Sequence, residues 1–266
     1  MATHSQTDIN REKWQKTLSE GHLGRKYWRK LMRLLPGPPR CKACNNPFGG
    51  FGGHICRAIG FRPSKKNPRM CALCCEKMPK GGAEVETAIL FADVRGSTEL
   101  AERLGPEKFA DALNQFYNTA TEILISYDAT VDKLIGDEVM AFFIPGFTGP
   151  NFKSAAIEAA QELLQKLGYD GSREPSLPVG IGIDSGIAFV GNVGGEEILD
   201  FTALGDPVNT AARIQAFAGP GQIFVGERAF SAVADQYPDV KPFTLTVKGK
   251  KDPLQVRSIP VTRIPG

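Results

Sequence analysis

One apolar run constrains the fold more than any other feature of the chain. Thr87-Ala88-Ile89-Leu90-Phe91 arrives like a buried strand and stops on Asp93. Small polar residues follow at Gly96, Ser97 and Thr98, and Leu100-Ala101-Glu102-Arg103-Leu104 then opens a helical pattern. Strand and helix signals alternate from there on. "ATVDKL" and "VMAFFI" flank "IGDE" at 135–138, a helix is expected over 151–167, and 179–205 reads as a hairpin. A helix over 206–217, the short strand "QIFV", a further helix and closing strands near 242–248 and 254–261 complete the pattern. Strands joined by hairpins and interleaved with helices predict an α+β fold with a mainly antiparallel sheet.

Two carboxylates stand out on this layout. Asp93 ends the first strand, and Asp137 sits in the tight turn of "KLIGDEVMAFF". If those strands are neighbours, both carboxylates leave one sheet edge, where like charges repel unless a divalent cation bridges them. Glu138 is expected on the opposite face, because side chains alternate along a strand. The small residues after Asp93 leave backbone N–H groups free to approach a phosphate. The plainer alternative makes Asp93 a helix N-terminal acid and Asp137 a turn former. Further along, "LGDPVNTAARI" places Asn209 and Arg213 four apart on one helix face, a pairing suited to negative charge on phosphoryl oxygens. Lys248, in "LTVKGKKDP", offers a point charge for phosphates or a solvated strand end.

The net charge of +3 hides an asymmetry. Residues 1–80 carry 17 Lys and Arg against 4 Asp and Glu, while residues 81–266 carry 15 against 25. All six cysteines and all three histidines fall within residues 1–80. A boundary near Gly81-Gly82 is therefore expected, giving a basic amphipathic helical segment (1–40), a cysteine-rich module (41–82) and a C-terminal domain (83–266). Within the first, "LGRKYWRKLMRLL" (23–35) sorts on a helical wheel: Leu23, Tyr27, Trp28, Leu31, Met32, Leu34 and Leu35 on one half, Arg25, Lys26, Arg29, Lys30 and Arg33 on the other. Such a helix packs on its own protein or a second copy, or meets an anionic membrane surface or a partner groove. No groove-reading motif accompanies the charge, so nucleic acid is not expected. No apolar stretch approaches the ~18–20 residues of a membrane span, and the N-terminus lacks a signal peptide's apolar core. A cytoplasmic location is expected, peripheral to a membrane if the basic helix meets lipid.

"CKAC" (41–44) and "CALCC" (71–75) set two C-x-x-C pairs 26 residues apart, with His54 and Cys56 between. That spacing suits a structural tetrahedral zinc held by Cys41, Cys44, Cys71 and Cys74, leaving Cys75 a bystander. The intervening Gly- and Pro-rich segment has little periodic core, so a metal would supply what burial does not. An iron–sulfur cluster using Cys56 or Cys75, and a redox dithiol, are the alternatives.

"FADVRGST", "DKLIGDEVMAFF", "TALGDPVNTAARI" and "VKG" resemble, in order and spacing, the catalytic domains of the class III nucleotide cyclases, over about residues 85–260. With its cysteine-bearing N-terminal segment the whole chain is similar to bacterial members. The resemblance implies a ferredoxin-like βαββαβ core working as a head-to-tail homodimer with active sites at the interface. It implies two Mg²⁺ or Mn²⁺ ions on Asp93 and Asp137, with the Val94 carbonyl assisting. Asn209 would orient the ribose, Arg213 would stabilise the transition state, and Lys248 would bind the terminal phosphates. Base choice would fall to Lys133 and Thr202, a donor and an acceptor that favour ATP, whereas guanylate cyclases place an acid at the lysine position. GTP, or UTP and CTP in antiviral defence, remain alternative substrates, and a non-catalytic nucleotide-sensing module is the alternative to an enzyme. A diguanylate cyclase would share the two-metal logic, but "GGEEILDF" (194–201) belongs to the hairpin and no GGDEF-type run is present.

Overall fold

Strands form where β-branched and aromatic residues crowd together, and helices where Ala, Leu, Glu and Gln recur at helical spacing. The computed structural model describes residues 6–20, 23–65, 67–76, 81–195, 197–247 and 252–261. Its elements are α1 (Gln6–Ser19), α2 (Leu23–Leu34), α3 (Gly50–Ala58), α4 (Ala72–Cys75), β1 (Gly81–Val94), α5 (Ser97–Leu104), α6 (Pro106–Ser126), β2 (Thr130–Ile135), β3 (Glu138–Phe143), α7 (Pro145–Thr148), α8 (Phe152–Lys166), β4 (Val179–Gly194), β5 (Leu199–Leu204), α9 (Asp206–Phe217), β6 (Ile223–Gly226), α10 (Glu227–Phe230), β7 (Phe243–Leu245) and β8 (Leu254–Ile259). No helix among the described residues is long and apolar enough to cross a membrane. The chain divides into two compact units. The first comprises Met1–Glu86, Ile144–Pro150 and Ala188–Leu204; the second comprises Thr87–Phe143, Asn151–Ile187 and Gly205–Gly266. The boundary expected at Gly81-Gly82 thus falls inside β1, and two later segments group with the N-terminal residues.

The sheet runs β2-β3-β1-β4-β6-β8-β7, and β5 pairs with β4. The order β2-β3-β1-β4, with α5 and α6 between β1 and β2 and α8 between β3 and β4, is the expected ferredoxin-like βαββαβ arrangement. Pairing is antiparallel for β1–β3, β2–β3, β4–β5, β6–β8 and β7–β8, and parallel for β4–β6. In the second unit, α6 and α8 bury Phe116, Ala120, Leu124, Ala156, Ala160 and Leu164 against alternate sheet residues, among them Leu90, Ala92, Val139 and Ala141. The alternation leaves Phe91, Asp93 and Met140 on the other face, where Ile214 and Ala218 of α9 pack with Phe224 and Val256.

The first unit is built differently. Trp14 and Leu18 of α1, within the segment expected to be helical, are buried. Trp14 stacks on Phe201 at 6.0 Å, and Phe201 meets Phe147 of α7 at 6.2 Å. A Cβ on Gly146 would lie 2.3 Å from the Thr17 carbonyl oxygen, so α7 approaches α1 backbone to backbone. On α2 the expected division into apolar and basic halves needs correction. Arg29, placed on the basic half, is fully buried: it donates to the Ala43 carbonyl at 2.5 Å and lies over the Phe147 ring at 4.5 Å. Tyr27, Leu31 and Leu34, placed on the packing half, are exposed. The helix is turned so that Trp28, Arg29 and Met32 face inward, because a guanidinium can satisfy a loop carbonyl and an aromatic face at once. Arg40 closes the end of α2 by donating to the carbonyls of Met32 and Leu35 at 2.8 and 2.6 Å.

Candidate functional site

A two-residue turn places the first carboxylate group. Gly136 adopts φ +63°, which the tight β2–β3 connection requires, and Asp137 follows at the turn tip. Tyr117 of α6 donates its hydroxyl to the Gly136 carbonyl. The Val94 N–H donates to the Asp137 carbonyl at 3.3 Å, tying the end of β1 to that turn. Asp93 and Asp137 are therefore brought together, as their sequence positions suggested. Glu138 departs from expectation. It stands directly opposite Asp93 in the β1–β3 register, and cross-strand partners share a face. Burial raises the Glu138 carboxyl above its ordinary range, and the charges of Asp93 and Asp137 raise it further. Asp93 is raised as well, by burial first; Arg95 pulls against this and Asp137 adds to it. Arg95 forms an ion pair with Asp93 and donates to the Ala216 carbonyl at 3.2 Å. Asp93, Asp137 and Glu138, each half-buried, lie within mutual electrostatic reach at the end of β1, and carboxylates are the hard oxygen ligands that divalent cations take.

On α9, Gly205 precedes the helix, Asp206 lies in its first turn and Pro207 is among its first residues, a sequence suited to initiating a helix. Asn209 is exposed and Arg213 half-buried, and neither side chain bonds to a described residue. Thr210, between them, is turned inward with its hydroxyl unpartnered. It lines a cavity of about 310 Å³ that also touches Asp184, Asp206 and Arg228 and does not include the carboxylate cluster. Lys133, on β2, pairs with the buried Asp132 at 3.0 Å. Thr202, in the first unit, is buried on β5 opposite Gly191. Lys248 lies outside the described residues.

The cysteines gather as their spacing suggested. The sulfurs of Cys41, Cys44, Cys71 and Cys74 all lie within 4.8 Å of one another, with Cys44 and Cys71 at 3.6 Å. A tetrahedron with metal–sulfur bonds of about 2.3 Å has edges of about 3.8 Å, so the cluster has the size of a four-thiolate metal cage. Burial opposes ionisation of Cys41, but hydrogen bonds from the other three thiols and from the Cys71 N–H outweigh it and hold this thiol well below its usual range. That N–H lies 3.2 Å from the Cys41 sulfur. Cys56 and Cys75 are buried outside the cage, Cys56 against the Met32 sulfur at 4.0 Å. All six cysteines are free of disulfides.

A βαββαβ sheet with carboxylates where β1 ends is the arrangement expected of a nucleotide-cyclase catalytic domain. Residues 82–257 match the family described as the adenylate and guanylate cyclase catalytic domain, and the chain belongs to that family. Among solved structures it is similar to the adenylyl cyclase CyaB from P. aeruginosa, at 28% identity and a TM-score of 0.60, covering 68% of this chain and 96% of that one. It is equally similar to the guanylyl cyclase Cya2, at 28% identity and a TM-score of 0.60, covering 67% and 93%. An uncharacterised protein of Mycobacterium tuberculosis is 27% identical over 188 residues, which is 70% of this chain and 32% of the relative. The chain spans about a third of the length of the curated relatives it matches.

Proposed function

We propose that the chain converts ATP to 3′,5′-cyclic AMP and pyrophosphate for second-messenger signalling, as a homodimer with sites shared between protomers. The observation that carries this is the convergence of Asp93, Asp137 and Glu138 at the end of β1, in a domain of the cyclase family. In the reaction the ribose 3′-oxygen loses its proton and bonds to the α-phosphorus, while the bond from that phosphorus to the bridging oxygen breaks and pyrophosphate leaves. Two Mg²⁺ or Mn²⁺ ions on Asp93 and Asp137, with the Val94 carbonyl, would supply the positive charge that acidifies the hydroxyl and steadies the triphosphate. Arg95 must swing off Asp93 for that carboxylate to serve as a ligand. Asn209 orients the ribose, and Arg213, free of any described partner, is available to the charge that develops on the phosphoryl oxygens. Lys248 takes the terminal phosphates.

Lys133 donates to adenine N1, and Thr202 accepts from the exocyclic amine. GTP is the second reading, favoured by the equal likeness to a guanylyl cyclase. Incubation with ATP, GTP, CTP and UTP in Mn²⁺, with products identified by mass spectrometry, tests both; a cyclic product from another nucleotide alone would overturn the ATP assignment. The four-cysteine cage holds a structural zinc, which elemental analysis of protein purified without chelator should find at one per chain. Iron with visible absorbance would point to a cluster instead. The exposed Tyr27, Leu31 and Leu34 suit α2 to an anionic membrane surface or a partner protein, and cosedimentation with phosphatidylglycerol vesicles tests the former.

A further inference from the structure

Both cysteine loops reach one carboxylate on β5. Lys42, inside the first C-x-x-C, is buried and sets its ammonium 2.6 Å from Asp200 Oδ1. Asn67, four residues before Cys71, donates its amide to the same oxygen at 2.9 Å. The two donors are themselves tied to a common stretch. The Lys42 N–H donates to the Arg69 carbonyl at 3.0 Å, and the Arg69 N–H donates to Asn67 Oδ1 at 2.9 Å. Each loop therefore contributes two sulfurs to the cage and one donor to Asp200.

Asp200 stands two residues before Thr202 on the same strand, so alternation puts both on one face. Phe201 points the other way, into Trp14 and Phe147. Holding a lysine head group and a loop amide on one oxygen freezes several torsions, a cost that a closed metal cage meets in advance by ordering both loops.

We propose that Asp200 is a positioning residue through which the metal held by Cys41, Cys44, Cys71 and Cys74 sets the placement of Thr202, and with it the choice of base. This rests on the reading of the four cysteines as a metal site and of Thr202 as a reader of the base. Loss of the metal frees the two loops, withdraws Lys42 and Asn67 from Asp200, and lets β5 move. Nucleotide affinity and selectivity then fall while the carboxylate chemistry persists, so the metal acts as a setting on substrate choice as well as a structural staple.

The test uses the full chain with and without its cysteine-bound metal, and assays in excess Mg²⁺, which thiolates bind poorly. Hydrogen exchange of residues 199–204 should quicken at least tenfold on metal removal, with residues 223–226 unchanged. Asp200→Asn and Lys42→Met should keep the metal, reproduce the faster exchange, and raise the KM for ATP about five- to tenfold with kcat within about twofold. The preference for ATP over GTP should narrow in both, and Lys42→Arg should restore it in part. Removing the metal from Asp200→Asn should add little. Unchanged exchange at 199–204 after metal loss, wild-type KM and selectivity in Asp200→Asn, or protein that binds no metal at its cysteines would each overturn the proposal. Thr202→Ala separates the two ideas. If it leaves KM and base preference unmoved while exchange at 199–204 still follows the metal, the base-reading role of Thr202 has failed and the coupling to β5 stands.

Discussion

The two units solve the same problem with different materials. The second buries a continuous apolar layer, with α6 and α8 covering one sheet face. At the end of β1 it sets Asp93 opposite Glu138. The first buries an arginine, a lysine and a thiol cluster alongside a small aromatic group. Its Gly- and Pro-rich loops cannot supply enough apolar surface, so directional contacts from Arg29, Arg40 and Lys42 do what side-chain volume does elsewhere. A region held by area tolerates many substitutions, whereas one held by a few bonded groups depends on each of them.

The sharpest way to break this comparison is to look for the chemistry outside the second unit. Asp93→Ala and Arg213→Ala should each lose at least ~10³-fold in activity, one for want of cation ligands and the other of charge stabilisation. Co-expressing the two should give about half mixed dimers, each with one intact site of two, and so return up to roughly a quarter of wild-type activity. A mixture no more active than its parts, despite proven subunit exchange, would mean that the catalytic set lies within one chain. Next in size, Lys133→Glu should cut cyclic AMP formation at least ~10²-fold, because the donor proposed for adenine N1 becomes an acceptor. Wild-type ATP turnover in that variant would remove Lys133 from the base pocket.

Cys41→Ser or Cys71→Ser tests the contrast in construction directly. Either should release about one metal per chain and speed hydrogen exchange over residues 40–76, leaving 87–143 protected. Loss of protection in both stretches would show that the second unit is not self-supporting. The smallest effect concerns Asp184, which is buried and bonded to Arg228 at 2.5 Å. Burial raises its pKa, with Arg228 opposing. A carboxyl raised by folding keeps its proton longer in the native state, so its contribution favours the fold below the ordinary carboxylate range and declines as pH climbs to the raised value. Asp184→Asn should flatten that decline, shifting the melting temperature by about 2 °C or less between pH 4 and 7; an unaltered slope would exclude Asp184 as its source.

What could be read beforehand follows from how local each feature is. Asp93 and Asp137 each sit at an element end that neighbouring residues define, and α9 begins and ends where "GDP" and the final Phe217 place it. Glu138 needed the cross-strand register, which links residues 45 positions apart. The burial of Arg29 depended on α7, whose four residues follow β3 more than a hundred positions later. Asp200 looked like one more hairpin acid until two cysteine loops were seen to close on it. Spacing alone reached the cysteine cage, because paired C-x-x-C turns carry their geometry with them.

The threading of the first unit has a consequence for how such a protein can be cut or inherited. Phe147 on α7 and Phe201 on β5 lie far along the chain, yet their neighbours are Trp14 and Arg29. A chain shortened to begin near residue 81 would keep both phenylalanines and lose what covers them. It should emerge sticky and prone to self-association rather than as a minimal cyclase. The two N-terminal helices are therefore no detachable prefix: a lineage that shed them would have had to rewrite positions 147 and 201 at the same time.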